Sequence, residues 1–282
     1  MSKYIKEISG ALNNPAVVSR LIRFPETVEE VGFCVERNNM LGAKIDNTVA
    51  YTDGTLIKIR KPSVHNNRLA FMGRKSFASV NVQITCDRRL YINNVLARFA
   101  GSTNDSFVFN ASALRRRMIE LHALRRCHLL GDSGYPNEPW MITPFARGER
   151  PEEGTPESRF HKAHISDRNC VERCIGVLKE VFRAINDERV LHYDAVKACR
   201  IVVAIVVVHN LRILAQVPLY QNLRPDLRNE NHYDDENEDE HDNENEEEAD
   251  ADEALNLLAR GRAARQRIVD ELEAARGRRH RH

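Results

Sequence analysis

The sequence has no apolar run long enough to cross a membrane. The longest, VVAIVVV at 202–208, falls well short of the roughly 20 residues a span needs. The opening MSKYIKEISGALNN lacks the apolar stretch of a secretory leader, so secretion is not expected. Cysteine is sparse, with six in 282 residues, and no two form a CxxC pair. Cys170 and Cys174 stand four apart on a predicted helix, but no second pair at ligand spacing completes a zinc framework. The six read as reduced thiols of an intracellular protein. No internal repeat is visible, which argues against a solenoid or a propeller.

Charge of one sign is missing locally rather than overall. The net charge is +1, yet residues 228–253 carry fifteen acids and a single Arg, and residues 254–282 carry eight Arg against three acids. The remaining 1–227 hold 33 Lys and Arg against 23 Asp and Glu, a net of +10. A basic body with a basic end suggests a polyanionic partner. The acidic run is either a solvated linker or an internal competitor for the same basic surface.

What is present is a body of alternating β and α patterns. Residues 4–20 predict a short helix closed by Pro25, and 27–40 a second with Val28, Val31 and Val35 on one face. TVAYTDGTLIKIR (48–60), ASVNVQITC (78–86) and YINNVLARFAG (91–101) are β-branched and alternating, and predict three strands. GSTND (101–105) predicts a turn, with Asn104 or Asp105 capping a helix over 106–124. CHLLGDSGYP (127–136) predicts a short buried strand and turn, and 146–165 a loop. Two helices follow, 166–186 and 192–216, the second too apolar for a surface position. Composition predicts disorder over 226–253 and an Arg-rich amphipathic helix beyond. The pattern is α/β with a mixed sheet.

Four acids interrupt this otherwise apolar framework. Asp53 follows VAYT and Asp132 follows CHLLG, each where a buried strand is expected. Asp105 sits at the turn from strand to helix. Glu172 flanks Val171 on a helix whose core face is marked by Val171, Ile175, Leu178 and Phe182. Carboxylates gathered without cations raise one another's pKa, and hard divalent ions such as Mg²⁺, bound through oxygen, relieve that. Two such ions suit phosphoryl transfer. Taken singly, each acid also has a structural reading: Asp-Gly is a common turn and Asp105 a good cap.

The blocks DGTLIKIRKP (53–62), SVNVQITCD (79–87), GSTNDSFVFNASAL (101–114), GDSGYPNEPWMITPF (131–145), HKAHISDRNCVERCIGVLKEVFR (161–183) and VVAIVVVHNL (202–211) occur in this order. Together they resemble the catalytic domain of the PIF/Harbinger transposases and the nucleases derived from them. The resemblance implies an RNase H-like DDE fold: a mixed sheet with flanking helices, here followed by a disordered acidic segment and a C-terminal basic helix. It implies a helical connector at 1–47, a nuclease domain at 48–225, an acidic linker at 226–253 and an Arg-rich helical tail at 254–282. The family's aspartates in DGT and GD-x-x-Y fall on Asp53 and Asp132, and its glutamate in VER-x-x-G falls on Glu172. These imply catalytic metal ligands, with Asp105 a further one. Mg²⁺ or Mn²⁺ is the implied cofactor, DNA the implied substrate, and the nucleus the implied location, with the cytoplasm as a second one.

Family members carry a helical DNA-binding region ahead of the nuclease. Asp53 comes early in this sequence, so a separate Myb-like DNA-binding protein is the expected source of sequence recognition. Two further readings compete. One is a non-catalytic DNA-binding or adaptor protein that reuses the fold. The other is an aspartyl phosphatase of the haloacid dehalogenase type, which needs an Asp two residues before Asp53. Tyr51 stands there and cannot attack phosphate in that way. Arg173 and Lys179 are either backbone-phosphate contacts or solvated charges. His161, His164 and His209 read as hydrogen-bonded structural histidines.

Overall fold

The computed structural model describes residues 3–63, 68–73, 77–218 and 251–279. Its β-branched segments pair into one five-stranded mixed sheet. The strands are β1 (Thr48–Lys58), β2 (Ser79–Cys86), β3 (Ile92–Ala100), β4 (His128–Leu130) and β5 (Met141–Ile142), in the order β3-β2-β1-β4-β5. β2 and β3 form an antiparallel hairpin, while β4 runs parallel to β1 and β5 parallel to β4. Every residue of β2 is buried, as expected of a strand covered on both faces. Helices flank the sheet, and none among the described residues is long and apolar enough to cross a membrane.

The chain gathers into two compact units. The described residues within 1–24, 53–112 and 170–230 form the first. It holds α1 (Lys3–Leu12), α2 (Pro15–Leu21), α4 (Arg68–Phe71), α5 (Asp105–Asn110) and α8 (Ala195–Leu214). Asp194 caps α8 by accepting the Lys197 N–H. One buried amide then fixes α8 on the hairpin: Asn210 donates to the carbonyls of Leu21 (2.7 Å) and Ile92 (2.6 Å) and accepts from the Ile92 N–H (2.9 Å). Next to it, His209 Nε2 bonds the Leu90 carbonyl at 2.7 Å.

The second unit comprises the described residues within 25–52, 113–169 and 231–282. α3 (Val28–Met40) starts at Thr27, which accepts the Glu30 N–H. Its buried Asn38 donates to the carbonyls of Thr48 and Val49, tying α3 to the start of β1. α6 (Ala113–Leu124) and the opening turns of α7 (Pro156–Val181) complete the body. α9 (Ala251–Arg279) docks here through Ala264, Ile268 and Val269, all buried. Gly261 lies so close to the Asn137 carbonyl that a Cβ would collide with it. Arg265 donates to the Pro144 carbonyl at 2.9 Å and stacks over Phe145, 4.0 Å from the ring centre.

The structure departs from the sequence expectations at element ends. The helix over 4–20 is two, because Pro15 starts a new helix behind the Asn14 cap. The helix over 106–124 is also two, broken where the Ser112 hydroxyl donates to the Phe109 carbonyl. The short buried strand expected at the start of 127–136 is β4, three residues long, while β5 was not expected at all. The loop over 146–165 ends early: Gly154 takes a positive φ of 88° and the Thr155 hydroxyl accepts the Ser158 N–H. α7 therefore begins at Pro156, and Phe160 and His164 bury its inner face. The disorder expected over 226–253 falls outside the described residues as far as 250, and residues 251–253 belong to α9.

Candidate metal centre

The site starts from strand register. Parallel pairing sets Tyr51 against Leu130. Asp53 lies two residues further along β1, and Asp132 lies two residues past the end of β4. Leaving β4, the Asp132 carboxylate accepts the Gly134 N–H at 3.0 Å. Gly131 is glycine for space: a Cβ would press on the Met141 sulfur at 2.9 Å and the Tyr135 ring at 3.0 Å. The GD-x-x-Y segment is thus a close-packed turn that holds Asp132.

Asp105 arrives from the other direction. Asn104 caps α5 by accepting the Phe107 N–H at 2.8 Å. That releases Asp105, at the first helical position, from capping. The Asn81 side chain on β2 donates to Asp105 Oδ1 at 2.9 Å. A Cβ at Gly54 would collide with the Asp105 carboxylate. The glycine of DGT therefore leaves room for a second acid beside β1. Gly54 N–H also donates to Asp53 Oδ1 at 2.8 Å.

One carboxylate oxygen each from Asp53, Asp105 and Asp132 lie within 4.8 Å of one another, and all three residues are half-buried. The donor set is all oxygen and formally −3, which suits a hard divalent cation. Glu172 lies on α7, half-buried, outside this group of three. Lys179 on the same helix is paired with Asp187 at 2.6 Å.

Other buried acids serve the fold, and no local pattern marks them. Asp87 accepts from Arg89 and from the Tyr91 N–H in the β2–β3 turn. Glu138 binds the Arg115 guanidinium through both oxygens and also accepts from the Trp140 indole. Asp167, fully buried, accepts the N–H groups of Lys44 (2.8 Å) and Ile45 (2.9 Å). His164 bonds the Ile142 carbonyl at 3.0 Å, and burial lowers its pKa to about 3. Burial, helped by the nearby His122, does the same to His128, also to about 3. Both are neutral structural imidazoles.

Residues 52–210 match the family model described as DDE superfamily endonuclease. The chain is 27% identical over 215 residues to "Putative nuclease HARBI1" of Bos taurus and of Homo sapiens, covering 76% of this chain and 58% of each relative. It is 25% identical to "Protein ALP1-like" of Arabidopsis thaliana over 205 residues, 68% of this chain and 48% of that protein. The chain thus spans less than two thirds of the length of these relatives. No solved structure matches it. A mixed sheet that brings together the aspartates of the DGT, GS-x-x-D and GD-x-x-Y blocks agrees with this match, which covers more than half of the sequence: the chain belongs to the DDE superfamily endonuclease family.

Proposed function

We propose that this chain is a nuclease that hydrolyses DNA phosphodiester bonds with divalent metal ions. The gathering of Asp53, Asp105 and Asp132 at the level where β1 and β4 end their pairing carries this reading. These three carboxylates would hold Mg²⁺ or Mn²⁺, and Glu172 on α7 would complete the set. Two such ions supply Lewis-acid activation of the attacking water and charge stabilisation of the leaving oxygen. The chain's own part is placement. The strand register fixes Asp53 and Asp132, Asn81 orients Asp105, and Gly54 leaves the space into which Asp105 reaches. Half-burial keeps the carboxylates out of bulk water while leaving a phosphodiester access. The same reading carries a nuclear location and a Myb-like DNA-binding partner.

The test is nicking of supercoiled duplex DNA by the purified chain with Mg²⁺ or Mn²⁺. The expected result is metal-dependent nicking that Asp132→Asn abolishes. Equal nicking by Asp132→Asn protein would remove Asp132 from the site. One observation favours a second reading, a DNA-binding adaptor without catalysis: Glu172 stands outside the group of three. Calorimetry separates the two. Mn²⁺ binding that disappears in Asp53→Ala supports the enzyme, and no binding at millimolar Mn²⁺ supports the adaptor.

A further inference from the structure

A cavity of about 560 Å³ opens beside the first turns of α7. The size is that of a small-molecule or single-nucleotide site. Arg150, His161 and Lys162 bring cationic or ionisable groups to its wall, and Pro151 and Ile165 bring apolar surface. Its place along the helix matters. Ser158, which also lines it, Ile165 and Glu172 recur every seven residues. Seven residues are nearly two full turns, so the three share one stripe of α7, with Ile165 about 10 Å along the axis from Glu172.

We propose that this cavity receives one nucleotide of the DNA strand. The proposal rests on the nuclease reading. The Arg150 fork takes the phosphate and Lys162 adds a point charge. Pro151 and Ile165 cover the base or sugar. Glu153 also lines the cavity and is paired with Lys162 at 2.6 Å. The two side chains are 85% and 62% exposed, and an exposed pair of this kind is weak. An entering phosphate replaces Glu153 on Lys162. The Glu153 carboxylate therefore opposes binding, which gives the proposal a gain-of-function test.

The test is fluorescence anisotropy of the whole chain with a labelled twelve-nucleotide oligo-dT, in EDTA so that nothing is cut. Arg150→Ala with Lys162→Ala should weaken binding by about tenfold or more and lower the salt slope by about 1 to 2. Glu153→Gln should tighten it about two- to fivefold, the scale of an exposed ion pair, and misfolding cannot mimic a gain. If all three changes leave the affinity at the wild-type value, the cavity is not a nucleotide site. Mn²⁺ calorimetry on the same proteins reports the acids separately. Mn²⁺ binding with indifferent oligo-dT affinity overturns the cavity alone. Absent Mn²⁺ binding overturns the nuclease reading, while the predicted affinity shifts would still support a nucleotide site in the cavity.

Discussion

Two regions of this chain bury carboxylates, and they do so in opposite ways. Within the second unit, Glu138 and Asp167 are each matched to their own donors: a guanidinium and an indole for one, two backbone N–H groups for the other. Near the end of the β1–β4 pairing, Asp53, Asp105 and Asp132 are brought toward one another. Matched acids stabilise a fold, because removing one leaves its donors unpaired. Gathered acids of like charge oppose it unless a cation joins them. The difference teaches how to tell a structural acid from a functional one when both are shielded from water: the criterion is the neighbour, not the burial.

The largest expected effect is on the gathered set. Asp132→Asn should lower metal-dependent nicking by about 10²-fold or more, since losing metal stabilisation is worth several kcal/mol. The same protein should keep its melting temperature in EDTA and lose the rise that Mn²⁺ gives the wild type. A marked drop in EDTA would class Asp132 with the structural acids. Asp167→Ala should do the reverse. It leaves the buried Ile45 N–H and the part-buried Lys44 N–H without their acceptor and should cost about 1–3 kcal/mol of stability in urea denaturation, with metal-dependent melting shifts intact.

A pH series sharpens the background against which both are measured. His128 and His164 have folded pKa values lowered to about 3 by burial. The unfolded chain takes up those protons near pH 6.5 and the fold does not. Their contribution is therefore full above about 6.5 and is lost as pH falls toward 3. Between pH 6 and 5, above the usual carboxylate range, stability should fall by about 2–3 kcal/mol per unit. His164→Asn should roughly halve that slope, as read by urea titration.

Gly54→Ala probes the approach of Asp105 to β1. The added methyl collides with the Asp105 carboxylate, so Mn²⁺ affinity should drop about tenfold or more, as when a ligand's support is disturbed. Unchanged calorimetry would show that Asp105 does not contribute. The smallest effect is expected at α9. Arg265→Ala removes a carbonyl contact and a cation–π contact with Phe145 and should cost about 1–3 kcal/mol, with Mn²⁺ binding untouched.

Much of this was legible in the sequence. Alternation over 48–60, 78–86 and 91–101 located three strands to within a residue or two, because their β-branched runs are long. Asp53 and Asp132 stood out as acids where apolar strands were expected. The apolar run before Asp132 marked β4, whereas β5 was hard to see: at two residues it is too short to show a period. The early start of α7 was masked by the Gly- and Pro-rich run before it, since only Thr155 and the 3–4 spacing of buried residues mark the boundary. The role of Gly54 depends on Asp105, which approaches it from a distant part of the chain and which local sequence does not record. The same holds for Asp167 and for the Arg115 contact of Glu138, whose donors come from distant parts of the chain.

The central claim is that Asp53, Asp105 and Asp132 hold divalent cations. Crystals soaked in Mn²⁺ and measured for anomalous scattering test it most directly. The predicted result is a peak within bonding distance of the Asp53 and Asp132 carboxylates, absent in Asp132→Asn crystals. A saturating soak with no peak there, or with Mn²⁺ only at other carboxylates, would contradict it.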